Sequence, residues 1–534
     1  MSKEQKKIVL SGSLNLLYYY LFFLFGVIST FFIARTLNPE NWGILLFIMA
    51  FITVSSYFCS VLPPAAEATL QFYIPKFKED MENNNLIRHF IFHVYKIRIC
   101  LIIFVFIIFH IVIRLLNFNE LILQALIISS PMIILISIQN LNSSLLMAFH
   151  KFIKVFYGYF LNSIIALIGI IILFFEGLNE PLILIVIIYT LSLFASCFIS
   201  IIFLLQTIPR KNSDNVIKNS TNRLNYKEAH LKYGLMLLMA GVISQISGLI
   251  VNFMYLYFGV IVYLTYITIC ENMVKISENL SGSSRSSFDA IFSEIDLEKR
   301  LDDYRNLFYQ INKYLLMAVG VIVGILIFSM EFVILLIYSE KYFVILLGIQ
   351  FILFSVFAKI IRRNLLIITH STNKTRIDLY IVIFQSVANL TAVYISLRFF
   401  GFFTLILMFI IIQFLLSFFG IFLINRTSEL NLKTYIIFKP FMIFLISFLA
   451  IIPFILYVNI NLFSDMFILN SLFNAFLNTL VFFFVYYLII LFTRYITKEE
   501  FNQFINLIPH LIMDRGIFQK LFKLIEKALP ATKK

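Results

Sequence analysis

The chain has 534 residues, of which 61% are hydrophobic and only 13% charged, and its mean hydropathy is +0.95. So much Phe, Ile and Leu cannot be hidden in a water-soluble fold, which excludes a soluble enzyme and makes lipid the expected solvent. The formal net charge of +14 then belongs to loops that orient a membrane protein, and nucleic acid is not an expected partner.

A spanning helix needs roughly 20 apolar residues. Fourteen such stretches are predicted, at about 10–34, 43–66, 87–113, 121–148, 155–175, 182–206, 233–257, 259–280, 308–330, 343–368, 377–397, 402–424, 436–458 and 471–493. The first has no small-residue cleavage site near its end and reads as a retained helix rather than a signal peptide. Barrel strands are excluded because they alternate over about 10 residues, whereas these runs are continuous and longer. The fold class is an all-α integral membrane protein.

The Lys and Arg residues divide sharply. On one side, which carries both termini and the loops after even-numbered spans, there are 32; on the other there are four, Arg35, Arg114, Lys341 and Arg398. Six more lie within spans. The basic side is expected to be cytoplasmic, which places the chain in the cell membrane with both termini inside.

Three polar breaks fall on the basic side, at 207–232, 281–306 and 425–433. They divide the chain into an N-terminal six-helix lobe (1–206), a linker (207–232), a second six-helix lobe (233–424) and an extra helix pair (436–493). Gly12 and Gly26 in the first span match Gly234 and Gly248 in the seventh at the same separation. A parallel repeat of six helices is the expected relation. The tail, 497–534, is basic and amphipathic and is expected to lie along the membrane or to form an ordered extension.

Several chemistries find no support. Cys59, Cys100, Cys197 and Cys270 form no CxxC pair, so neither a disulfide nor a zinc site is expected. There is no nucleotide-binding loop, no catalytic triad and no sizeable loop on the sparse side. No cofactor, metal or enzymatic activity is called for.

Ionisable groups inside spans are costly and so become candidates. Glu67 follows a Pro63-Pro64 break and could bind Na⁺ or a proton, or lie at the interface. Glu271, Lys275 and Glu278 share one helix face; they neutralise one another or form a polar wall for sugar hydroxyls and pyrophosphate. Arg285 sits in a Gly/Ser turn that could bind phosphate or form a plain loop. Lys359 and Arg363 share a face and either anchor the chain or hold an anionic headgroup. Gln139, Asn140, Asn142, Gln245 and Asn252 line a cavity or join helices.

Between the first two spans runs Ala34-Arg35-Thr36-Leu37-Asn38-Pro39-Glu40-Asn41-Trp42-Gly43. Arg35 there either snorkels or contacts an anion. The segment resembles the A-R-x-L-G-P-x-x-Y-G signature of polysaccharide-biosynthesis flippases, members of the multidrug/oligosaccharidyl-lipid/polysaccharide exporter (MOP) superfamily. Ala34, Arg35, Leu37, Pro39 and Gly43 match; Asn38 replaces Gly and Trp42 replaces Tyr. The segment Pro63-Pro64-Ala65-Ala66-Glu67 departs from relatives, which often have Gly followed by a basic residue. The resemblance implies two six-helix lobes around a central cavity of alternating access. It also implies translocation of a polyprenyl-linked oligosaccharide, with membrane lipids and glycan-assembly enzymes as partners and possible Na⁺ or H⁺ coupling. An ion-coupled exporter of drugs or other small molecules is the alternative within the superfamily. A membrane glycosyltransferase or polymerase is the alternative outside it.

Overall fold

The computed structural model describes residues 24–61, 84–149, 151–177, 180–208, 235–294, 301–371, 376–427, 430–457, 467–493 and 495. Every regular element among them is helical. In chain order they are α1 (Leu24–Thr36), α2 (Pro39–Phe58), α3 (Asn84–Leu115), α4 (Glu120–Ser129), α5 (Pro131–Ala148), α6 (Phe152–Glu176), α7 (Pro181–Leu205), α8 (Leu235–Tyr257), α9 (Val262–Glu294) and α10 (Leu301–Val333). A π-helical turn, Ile334–Tyr338, continues α10, and a 3₁₀ turn, Glu340–Ile345, leads into α11 (Leu346–Ile352) and α12 (Ser355–Ser371). α13 (Arg376–Ile395), α14 (Phe402–Thr427), α15 (Thr434–Tyr457) and α16 (Phe467–Phe492) complete the series.

Among the described residues, eleven helices are long and apolar enough to cross a membrane, or twelve if the bent pair Glu340–Ile352 and Ser355–Leu366, at 49°, is one span. The other two predicted spans correspond to α1, described from Leu24, and α9, whose Glu271, Lys275 and Glu278 lower its hydropathy. Lipid acts as the solvent of this fold: Phe104, Phe175, Phe194 and Phe484 are all exposed on its surface.

Helix boundaries follow local chemistry. Asn38 caps α2, its Oδ1 accepting the Asn41 N–H at 2.7 Å, and Pro39 occupies the first turn, where its missing N–H costs nothing. Asn119 caps α4 in the same way. Pro131 cannot donate into the ladder of α4, so α4 gives way to α5 there, although the two together form one span, Glu120–Ala148. The predicted polar break at 281–306 is corrected: α9 runs on to Glu294, and the Ser281–Arg285 segment is helical rather than a turn. A single mid-helix glycine, Gly282, costs only about 1 kcal/mol relative to Ala, and no proline stops the helix.

Helices α2–α7 pack into one bundle, and α8, α9 and α11–α14 into a second. α10 packs against α9 and α12 on one side and against α15 and α16 on the other. Its Gly324 permits that second contact, since a Cβ there would lie 2.1 Å from the Phe482 ring. Phe444, Phe482 and Tyr486 complete an aromatic core with Phe354 and Phe357. The two bundles meet where α2 lies against α8 and α9. Glu67, most of the predicted linker and the tail 497–534 fall outside the described residues.

Candidate functional site

The rim that carries the α1–α2 link, the one poor in Lys and Arg, is closed by contacts between the bundles. A helix end leaves four carbonyls without intrahelical partners and carries partial negative charge. Arg35, at the end of α1, takes two such carbonyls from the end of α10. Its Nη1 donates to Ile337 O and its Nη2 to Leu336 O, each at 3.0 Å. The guanidinium also lies 3.7 Å from the centre of the Phe31 ring, a cation–π contact. Lys341 answers from the other bundle, its Nζ donating to Leu37 O at 2.8 Å. Thr265 of α9 donates to Pro39 O at 2.7 Å.

Beneath these bonds Trp42 is buried, stacked on Tyr338 with centroids 6.1 Å apart and edge-on to Tyr342 at 5.7 Å. Gly43 allows α2 to approach α9, because a Cβ there would sit 2.5 Å from the Ile261 carbonyl oxygen. Farther in, Phe253 of α8 meets Phe47 and Phe51 of α2 edge-on. The ten residues Ala34–Gly43 thus form a clasp between bundles. Each of its three cation–carbonyl bonds contributes about 1.5–3 kcal/mol. An open cleft of about 500 Å³ beside it is lined by Arg35, Leu335, Ser339, Glu340 and Lys341.

Deeper in the membrane the charges regroup. The sequence places Glu271, Lys275 and Glu278 on one face of α9. In the structure Glu278 turns to α12, where it pairs with Lys359 at 3.2 Å and Arg363 at 3.6 Å. Arg363 also donates to the Glu278 carbonyl at 3.0 Å, and Arg362 donates to Gln385 Oε1 on α13 at 2.8 Å. Glu271 and Lys275 remain exposed, and neither forms an ion pair among the described residues. At 1.5 Å per residue they lie roughly 14 and 20 Å along α9 from its start, within a hydrocarbon layer about 30 Å thick. Two exposed charges at that depth are costly in hydrocarbon, which makes them candidates for a polar site.

In the first bundle, polar groups join helices. Gln139 donates to Ser196 Oγ at 2.6 Å, Ser196 to Gly158 O at 2.7 Å, and Asn142 to Ser200 Oγ at 2.8 Å, while the Tyr95 hydroxyl donates to Asn142 Oδ1. Gln139 and Asn142 therefore bind α3, α5, α6 and α7 together, whereas Asn140 is exposed. Arg98 is fully buried beside Ser137, with 3.4 Å between Nη1 and Oγ. Arg98 and Lys341 were not singled out from sequence. Their signals were a cation in the middle of a long span and one of only four cations on the sparse side.

No family model and no curated protein sequence matches the chain. Solved structures do. The chain superposes on the lipid II flippase MurJ in an inward closed conformation with a TM-score of 0.60 and 17% identity, covering 89% of this chain and 98% of that one. An inward-facing multidrug resistance MATE family transporter of the MOP superfamily gives 0.59 and 13%, covering 76% and 93%. A MOP superfamily transporter from Pyrococcus furiosus gives 0.54 and 14%, covering 79% and 94%. At these identities the likeness establishes a shared all-α membrane fold.

Proposed function

We propose that the chain is a flippase that carries a polyprenyl-phosphate-linked oligosaccharide across the cell membrane by alternating access, for polysaccharide or glycoconjugate biosynthesis. The observation that carries this reading is the exposed Glu271–Lys275 pair at mid-depth on α9, just below a rim closed by the Arg35–Lys341 clasp. A cargo with a sugar and phosphate headgroup needs a hydrated, cationic interior, and a one-sided closure prevents a leak. Lys275 is the residue assigned to the headgroup, with Glu271 toward sugar hydroxyls. Lys359 and Arg363, held by Glu278, are a second cationic station. Arg35 acts at the rim, and Arg285 in the C-terminal half of α9 is a further candidate. Glu67 is the residue assigned to any Na⁺ or H⁺ coupling.

In this reading the division into 1–206, 233–424 and 436–493 corresponds to two lobes that rock about the α2–α8 and α2–α9 seams, plus an accessory pair. The basic rim and both termini are cytoplasmic. The fold shared with a lipid flippase over most of both chains supports this reading, as does the flippase-like segment at the clasp. An ion-coupled exporter of small molecules uses the same fold, and its cargo would most often be cationic. Across the membrane-embedded stretches of α9 and α12, Lys275, Lys359, Arg362 and Arg363 outnumber Glu271 and Glu278, which favours an anionic cargo. Cells lacking the chain should accumulate the lipid-linked oligosaccharide in the cytoplasmic leaflet, and Lys275→Ala should fail to restore export. Normal glycan export combined with altered sensitivity to organic cations would overturn the reading in favour of the exporter.

A further inference from the structure

The sparse-rim cleft has a chemistry that the closure alone does not need. Two cations line it, Arg35 from one bundle and Lys341 from the other, against a single acid, Glu340. Both are engaged by neutral main-chain carbonyls across the bundle boundary. An ionised oxygen offers these cations a full Coulomb attraction, and to Arg a bidentate fit, that a neutral carbonyl does not. A phosphate-class oxyanion in the cleft would therefore compete directly for the groups that hold the rim shut.

We infer that the Arg35–Lys341 cleft is an oxyanion site, and that its occupation by a phosphate or diphosphate group opens the clasp. The guanidinium and ammonium leave Leu336, Ile337 and Leu37 for the anion, and the freed carbonyls, being at the rim, take water. The bundles then lose their cation–carbonyl bonds, leaving the Thr265–Pro39 bond and the Trp42 stack, neither of which is charge-assisted. Closure is thus the resting state, and an anion is the key. A ligand shifts such an equilibrium only by its preference for one state, and here the preference comes from partners that the closed state occupies. The inference rests on the clasp being a movable closure, as in the proposed function, but not on the identity of the cargo.

Cys270 is a native reporter. It is fully buried on α9, five residues below Thr265 and within electrostatic reach of Tyr338. With Cys59, Cys100 and Cys197 changed to Ser, the full chain in phosphatidylcholine nanodiscs is treated with a hydrophilic maleimide. One arm adds inorganic pyrophosphate; a second replaces part of the lipid with phosphatidic acid; a control adds chloride at matched ionic strength. Labelling of Cys270 is expected to rise about tenfold in at least one oxyanion arm and not with chloride. The responding arm tells whether a free or a lipid-borne phosphate is read. Arg35→Gln and Lys341→Gln should each raise the basal rate and lose the response, while Arg35→Lys keeps part of it. Should one Gln variant fail to fold, the other carries the same test. No rise in either oxyanion arm, an equal rise with chloride, or a full response in the Gln variants would overturn the inference. A positive result together with absent glycan flipping would reject the cargo and leave the anion-opened clasp standing.

Discussion

Glu278 partly offsets the cations of α12. It pairs with Lys359 and Arg363, and Arg362 on the same helix donates to Gln385. The side chains are 14% to 32% exposed, so their desolvation is partial. Removing one member of such a group leaves the others buried without full compensation. Glu278→Gln is therefore expected to lower stability by about 1–3 kcal/mol, seen as a fall in the thermal midpoint in detergent. Glu278→Met combined with Lys359→Met should recover much of that loss, and a double variant as unstable as the sum of its singles would contradict the pairing. Lys275→Ala should leave the midpoint unchanged, because the side chain is exposed and unpaired among the described residues. Helical spacing showed that Glu271, Lys275 and Glu278 share a face of α9. It gave no means of seeing that α12 would supply the partner of only the last.

At the level of elements, the contact between α2 and α9 decides whether the clasp can form. Gly43 faces a backbone oxygen, which cannot rotate away as a flexible side chain can. Gly43→Ala should push α2 off α9 and raise Cys270 labelling without any added anion. Unchanged labelling would show that the clasp closes without that approach. The second span is predicted from about 43, whereas α2 starts at Pro39; the motif Ala34–Gly43 itself was visible in the sequence. Its partners were not, because Leu336, Ile337 and Lys341 lie some three hundred residues downstream, and no local pattern encodes a contact over that distance. The helical course of 281–294 was missed for the opposite reason: Gly and Ser mark turns in water-exposed chains, but an established helix tolerates them when no proline intervenes.

At the level of the whole molecule, the helices were legible because lipid leaves a chain so few choices. Backbone groups must be satisfied within each segment, so apolar length alone reports a helix. The charge asymmetry then gave a consistent order of crossings. What composition could not supply was the role of polar groups inside the fold. Gln139 and Asn142 were equally suited to a cavity wall and to interhelix bonds, and only packing against Ser196 and Ser200 distinguishes them. Glu271 and Lys275, by contrast, stay exposed, which is why the proposed function assigns them to the cargo. The most direct measurement is made on the purified chain in proteoliposomes carrying a fluorescent polyprenyl-diphosphate-linked oligosaccharide, with a membrane-impermeant quencher added outside. The wild-type chain should expose the inner-leaflet pool to quenching, and Lys275→Ala, at unchanged thermal midpoint, should slow that exposure by about tenfold or more. Quenching no faster than in protein-free liposomes, or equally fast with Lys275→Ala, would contradict a flippase that works through this site.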